Sequence, residues 1–275
     1  MAVGRVMLIV LKNFLYHCVC LDNQPRYFAL KASAMRVAAR LGVYETSYVK
    51  RLPFFIRPGS DVVDVGANFG AYTLVMARLV GPSGKVFAFE PLPTAADALS
   101  KKCDVLTNVV VLREALSGGQ DERESVELRV PFLAGAVPEP ALAALDPTPW
   151  AGLGLRTWKV FRVPVRRLDD HLRRFRDISF IKVDVEGHEA AFLMGATETI
   201  RRFRPVLQVE ASGLRAHTAK VESWTREVHY AWLTVQDGRL EIAAPDASSA
   251  LNVYGVPEEM VDRLSAALQS KSSRA

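Results

Sequence analysis

Apolar positions change period several times along this chain, and each change marks an element. Val62, Val63 and Val65 form a β-branched run that stops at Gly66, as a buried strand entering a glycine turn does. Residues 69–80 are helix formers with few polar side chains, and Gly81-Pro82 stops them. Residues 85–90 alternate into a second strand that ends on an acid, Glu90. A helix is expected over 94–103 after Pro93, with Lys101 and Lys102 at the end where a helix dipole favours cations. A third buried strand follows at 108–112, leading into Glu114-Ala115. The rhythm resumes with a short helix at 169–175, a strand at 178–184, a helix at 187–203 ended by Pro205, and a strand at 206–210. Leu214, Val221, Trp224 and Val228 then recur at helical spacing. Residues 230–243 fold back at Asp237-Gly238, and 251–256 form a last strand. Strands alternating with helices predict a doubly wound α/β fold, a mostly parallel sheet with an antiparallel pair closing one edge.

Three stretches break the rhythm. Residues 1–57 read as an appended helical layer, with Leu30, Ala34, Val37, Ala38 and Leu41 at helical spacing. Within it, Tyr48, Leu52, Phe55 and Ile56 suggest a further short helix broken near Pro53. Residues 117–165 form an insertion in the main domain of 58–260. Val126, Leu128 and Val130 alternate there as in a hairpin, before Pro- and Ala-rich sequence carrying Trp150 and Trp158. Such an insertion either shapes a substrate site over the strand ends or is a plain surface loop. Residues 261–275 are a C-terminal tail, polar and expected to be disordered from 269 onward.

Composition narrows the function classes. With 275 residues, 49% hydrophobic and 24% charged, the chain can bury one sizeable core. The net charge of +5 is mild. The arginines at 166, 167, 173, 174 and 176 are interrupted by Asp169 and Asp170, so they read as a solvated helix face and no nucleic-acid partner is expected. Three cysteines, two of them Cys18 and Cys20, make neither a disulfide framework nor a zinc spacing, and a reducing cytoplasm is the default location. Apolar residues 6–11 and 14–21 are separated by Lys12-Asn13 and fall short of the roughly 20 residues of a membrane span; no small-residue cleavage site follows. A buried or interface-seeking segment is expected instead.

Two clusters carry candidate chemistry. In the first, Gly66 lets the backbone bend sharply and lets a ligand approach the turn and the helix N-terminus. Glu90, at the end of the next strand, can accept both hydroxyl protons of an adenosine ribose. The spacing Gly66-x-x-x-Gly70 is neither G-x-G-x-x-G nor a phosphate loop, so a nucleoside without phosphate fits better than a nicotinamide dinucleotide. In the second, Lys182-Val183-Asp184-Val185-Glu186-Gly187-His188-Glu189 places ionisable groups where a buried strand becomes a helix, the end at which open α/β sheets bind ligands. Glu186 and Glu189 either cap that helix or take part in chemistry. His188 is a candidate proton acceptor, or an incidental residue of a first turn. Asp184, Glu186, Glu189 and Glu210 could hold a divalent ion, but no metal is expected.

Both clusters together resemble the FkbM family of S-adenosylmethionine-dependent methyltransferases. The matching pieces are VVDVGANFGAYTL, VFAFEPLP, NVVVLREALS, VRRLDDHL, FIKVDVEGHEAAFLMGA and RPVLQVE, in order from about residue 44 to 211. The N-terminal layer and the 117–165 insertion carry no such match. The resemblance implies a Rossmann-like class I methyltransferase fold with a seven-stranded sheet, and O-methylation of a hydroxyl on a sugar or natural-product acceptor. It further implies that Asp64, Gly66, Asn68 and Gly70 line the methionine part of the cofactor, with Ala67, Tyr72 and Pro91 completing the pocket. Glu90 would hold the ribose, Glu114 and Ala115 the adenine edge, and Asp184 would border the transfer site; the resemblance assigns no proton acceptor, for which Asp184 and His188 are the candidates by their own chemistry. Tyr44-Glu45 resembles a short motif before the first strand, which would bring Glu45 to the cofactor. Two rivals stay open: a nicotinamide-dependent oxidoreductase on the same kind of sheet, and a non-catalytic module that keeps the pocket to hold a partner.

Overall fold

The computed structural model describes residues 46–118, 125–133, 137–138, 158–236, 239–242 and 252–272. The predicted helix over 29–41, Glu45, Cys18, Cys20 and the Pro-rich part of the insertion lie outside the described residues. Two short helices, α1 (Thr46–Val49) and α2 (Leu52–Phe55), precede strand β1 (Asp61–Val65). Then come α3 (Ala71–Val80), β2 (Lys85–Phe89), α4 (Pro93–Cys103), β3 (Val109–Leu112), and the strands β4 (Ala115–Leu116), β5 (Ser125–Leu133), β6 (Val137–Pro138) and β7 (Trp158–Arg166). After a 3-10 helix (Leu168–Arg174) follow β8 (Ile178–Val183), α5 (Glu189–Gly195), α6 (Thr197–Phe203), β9 (Val206–Glu210), α7 (Ala211–Arg215) and α8 (Thr218–Val228). The strands β10 (Tyr230–Gln236), β11 (Arg239–Ile242) and β12 (Asn252–Pro257) lead to α9 (Val261–Ser272).

The main sheet has eight strands in the order β11-β10-β12-β9-β8-β1-β2-β3. Strands β3, β2, β1, β8 and β9 pair in parallel, and β12 runs antiparallel to both β9 and β10. This is the expected Rossmann-like layout with one correction. The expected seven strands are joined by β11, which pairs antiparallel with β10 and adds an eighth strand at the edge; the predicted turn at 237–238 lies outside the described residues.

Alternation along each strand sorts the core into two layers. Val63, Val65, Phe87, Phe89, Ile181, Val183, Leu207 and Val209 face one way, against Phe192, Leu193, Ile200, Val221 and Trp224. Val62, Val86, Phe180, Val206 and Tyr254 face the other, against Leu52, Phe55, Tyr72, Met76 and Leu264. Both sides of β1 and β8 are covered, which is why those strands are apolar runs with few polar breaks.

Other differences from expectation have local causes. Helix α3 begins at Ala71 rather than at 69, because Gly70 is its N-cap in the left-handed region with φ of 80°. The helix predicted over 187–203 is two helices broken at Ala196. Beside that break Gly195 packs closely on Ser117, since a Cβ on Gly195 would stand 2.0 Å from Ser117 O. The second helix then restarts on Asp169, whose carboxylate accepts from the backbone N–H of Thr199 at 2.8 Å and of Glu198 at 3.2 Å. The 169–175 element is 3-10 rather than α. The insertion is not merely loop: β5 pairs antiparallel with the distant β7, not within a local hairpin alone, and β4-β7-β5-β6 form a separate four-stranded sheet. Helix α9 runs through Ser272, past residue 269 where the sequence predicts disorder.

Candidate active site

The site lies where β1, β2, β8 and β9 end. The turn after β1 is tight: Gly66 and Ala67 donate their N–H groups to Phe89 O at 3.0 and 3.1 Å. Gly66 has φ of 72°, and a Cβ there would stand 1.9 Å from Asp184 O, so only glycine lets the β1 turn touch the β8 end. Asn68 also lies in the left-handed region, φ 49°, a conformation that asparagine tolerates better than most.

Asp64 is fully buried, and its Oδ2 accepts from Thr73 Oγ1 at 2.6 Å. Its Oδ1 lies 3.8 Å from Lys182 Nζ and makes no hydrogen bond; Asn68 Oδ1 is likewise buried without one. Burial pushes the Asp64 carboxyl above its ordinary range, and the Lys182 ammonium opposes that. Lys182 itself is buried, with Nζ 3.1 Å from Asp184 Oδ2 and 4.9 Å from the centre of the Tyr72 ring. Register explains the grouping. Asp64 pairs with Lys182 and Lys182 with Gln208, so three polar residues stand in a row across adjacent strands on one face. The first turn of α3 closes over that row: Thr73 bonds Asp64, and Tyr72 OH accepts from Gln208 Nε2 at 3.1 Å.

Glu90 is buried, and its two oxygens accept from the N–H groups of Asn68 at 2.7 Å and Leu92 at 2.9 Å. Burial raises it from 4.5 to about 7. Each oxygen keeps a second lone pair for a hydroxyl. Pro91 is half-buried beside it, and Ala67 is buried.

A second group of acids gathers at the ends of β8 and β9. Asp184 keeps 34% of its side chain exposed. Burial, and after it the Asp184 carboxyl, raise Glu210 to about 7. Glu186, with φ of 52°, is raised to about 9 by burial and by Asp184, Glu210 and Glu189. Glu189 is fully buried and serves the loop: it accepts from Val185 N at 2.9 Å and Gly187 N at 3.1 Å, while burial and Glu210 raise it to about 7. His188 is half-buried and takes the N-cap position of α5. Among the described residues no group of three or more His, Cys, Asp or Glu side chains is arranged to hold a metal ion.

The structure thus brings Asp64, Gly66, Ala67, Asn68, Gly70, Tyr72, Glu90, Pro91 and Asp184 to one region, joined by the contacts above and by the α3 N-cap. Glu114 differs: its Oε1 lies 3.0 Å from Nε2 of His171, a buried residue of the 3-10 helix that packs edge-on to Phe89. Ala115 is buried in a separate apolar group with Phe69, Leu92, Val130 and Val163, which ties the second sheet to the glycine turn. Lys182 and Gln208 were not singled out as site residues from the sequence. The available signal was a lysine and a glutamine at inward-facing positions of otherwise apolar central strands.

The family model described as the methyltransferase FkbM domain matches residues 64–231, more than half of the chain. The chain belongs to the FkbM methyltransferase family. Its cofactor is S-adenosylmethionine. Among similar proteins, Methyltransferase 1 of Beauveria bassiana is 32% identical over 149 residues, covering 50% of this chain and 58% of that one. Methyltransferase sdnD of Sordaria araneosa is 31% identical over 157 residues, covering 50% and 60%. The chain therefore spans less than two thirds of the curated relatives it matches. A solved structure titled methyltransferase FkbM, from Methylobacillus flagellatus, is 18% identical, covers 71% of this chain and 43% of its own, and has a TM-score of 0.43.

The residues of this FkbM chain suit that cofactor. A buried oxygen without a hydrogen bond costs about 1–3 kcal/mol, and both Asp64 Oδ1 and Asn68 Oδ1 are such acceptors beside the glycine turn. An ammonium group would satisfy them, and the surplus of carboxylates suits a cofactor of net positive charge.

Proposed function

We propose that this chain methylates a hydroxyl oxygen on an uncharged small-molecule acceptor, a sugar or a natural product. The observation that supports this most is the acid-lined end of β8 and β9. Asp184 is one third exposed there, and beside it burial, followed by the neighbouring acids, raises Glu186 to about 9 and Glu210 to about 7. Held largely protonated, Glu186 offers a neutral donor and acceptor to an incoming hydroxyl, which suits an uncharged polyol better than a phosphate or carboxylate that seeks cationic partners.

The cofactor supplies an electrophilic methyl group when bound. The chain's own work is to hold and to orient. Asp64 and Asn68 would take the methionine end, Glu90 the ribose hydroxyls, and Ala115 an edge of the adenine. Orientation of the acceptor oxygen can supply on the order of 7 kcal/mol or more. The acceptor hydroxyl proton then passes to a carboxylate at its side, and Asp184 Oδ2, fixed at 3.1 Å by Lys182 Nζ, is the group we assign. His188, half-buried at the head of α5, is the second candidate.

Calorimetry with S-adenosylmethionine and with NAD, followed by an acceptor screen, tests this. Saccharides and polyketide-like alcohols should gain methyl groups, whereas RNA fragments and isoaspartyl peptides should not. Methylation confined to either of the latter would overturn the acceptor assignment. Cofactor binding with no transfer to any acceptor would favour the non-catalytic module.

A further inference from the structure

Nothing in β8 as a strand calls for a cation at position 182. Its inward neighbour Phe180 is fully buried and packs in the apolar layer beside Phe55 and Tyr254, and a methionine at 182 would fill similar space. A buried ammonium is unfavourable unless paired, and Lys182 is paired twice, with Asp184 Oδ2 at 3.1 Å and Asp64 Oδ1 at 3.8 Å. The Tyr72 ring lies 4.9 Å below it, against the electron-rich face that favours a cation. Thr73 holds only one oxygen of Asp64, so the second oxygen takes its place from the field of Lys182.

We propose that Lys182 is a positioning residue of the cofactor pocket. It acts through Asp64, whose second oxygen it faces at 3.8 Å, and keeps that buried carboxylate charged. This rests on the S-adenosylmethionine reading, in which Asp64 receives a cationic part of the cofactor. The groups that face Asp64 are Lys182 and Asp184 from the end of β8, the hydroxyl of Thr73 from α3, and Glu90 beyond β2, while Tyr72 faces Lys182. Of these, Lys182 alone is cationic. Without it burial would press Asp64 further toward its neutral form, since the Lys182 ammonium opposes that shift.

The test is calorimetric binding of S-adenosylmethionine to wild type, K182M, K182R, D64N and D64N/K182M, at about pH 7.5 and about pH 9, with thermal unfolding of each as a check of the fold. At the lower pH, K182M should bind about tenfold or more weakly, one pKa unit being a factor of ten. It should recover part of that loss at the higher pH, where ionisation of Asp64 is favoured. K182R keeps the charge and should keep the wild-type pH profile. D64N/K182M should bind within about twofold of D64N, since the lysine then has no charged Asp64 to act on. That pair of variants decides the matter even where K182M alone does not fold. Wild-type affinity and pH profile in K182M, or a K182M loss that adds in full to that of D64N, would overturn the proposal. Failure of wild type to bind the cofactor would instead overturn the reading beneath it.

Discussion

Gly213 and Glu189 are packed so closely that a Cβ on the glycine would stand 1.6 Å from Glu189 Oε2. Glu189 is the fully buried carboxyl that gathers the N–H groups of Val185 and Gly187, so α7 clamps the loop that carries Asp184 and Glu186. Gly213→Ala should therefore displace that carboxyl and loosen the loop. The expected cost is about 1–3 kcal/mol, as for overpacking or for leaving a buried polar group unmet. Thermal unfolding should show a lower Tm, and kcat/KM should fall in the same variant. An unchanged Tm would mean that the clamp yields at no cost.

Asp184 should separate turnover from folding. Its carboxyl is one third exposed and lies beyond the last paired residue of β8. Asp184→Asn should leave Tm within a few degrees while lowering kcat by about 10²–10⁴, the usual range for a lost general base. Steady-state kinetics on an acceptor found by the screen would check this. An unaltered kcat would move the proton to His188.

Acidity should act on the apo protein in one direction. Glu90, Glu189 and Glu210 are raised from 4.5 to about 7, and Glu186 to about 9. The folded state therefore holds more protons than the unfolded chain in this window, and stability falls as pH rises. The apo Tm should be highest near pH 5 and decline towards about pH 9. Cofactor affinity should move the other way through about pH 7, because ribose hydroxyls donate to the ionised form of Glu90. Glu90→Gln should flatten that rise in calorimetry. A rise that persists in Glu90→Gln would place the titration elsewhere.

Asp169 offers a control remote from the chemistry. It caps α6 across a gap of 30 residues, through the N–H and the hydroxyl of Thr199 at 2.8 and 2.7 Å. Asp169→Ala should cost about 0.5–2 kcal/mol of stability, the range of a lost N-cap. Cofactor affinity should stay put. Denaturant unfolding and calorimetry on the same sample would measure both.

Much of the fold was legible because its signals are local. The run Val62-Val63-Asp64-Val65 followed by Gly66, and Ile181 to Val183 followed by Asp184, announce buried strands ending on functional turns. The two-layer sorting of the core follows from alternation alone. The break between α5 and α6 was not legible. It lies between Gly195, which meets Ser117, and the Glu198 and Thr199 N–H groups, which meet Asp169, and those contacts exist only in the folded chain. The partner of β5 was missed for a like reason. Alternation at Val126, Leu128 and Val130 announces a strand, but register with Val163 and Phe161 is a contact across more than 30 residues.

The sequence by itself determined the doubly wound sheet, the glycine turn at Gly66, the acids at the strand ends and the family to which they belong, since each is written in neighbouring residues. Only the tertiary structure decided which charges meet. Lys182, Asp64 and Gln208 belong to three strands separated by helices, and parallel register sets them in one row beneath Tyr72 and Thr73. Likewise Glu189 reads as a helix-capping acid until Gly213 brings α7 against it. Pairing between distant strands and close approach between helices depend on packing of the whole chain, and no window of neighbouring residues contains them.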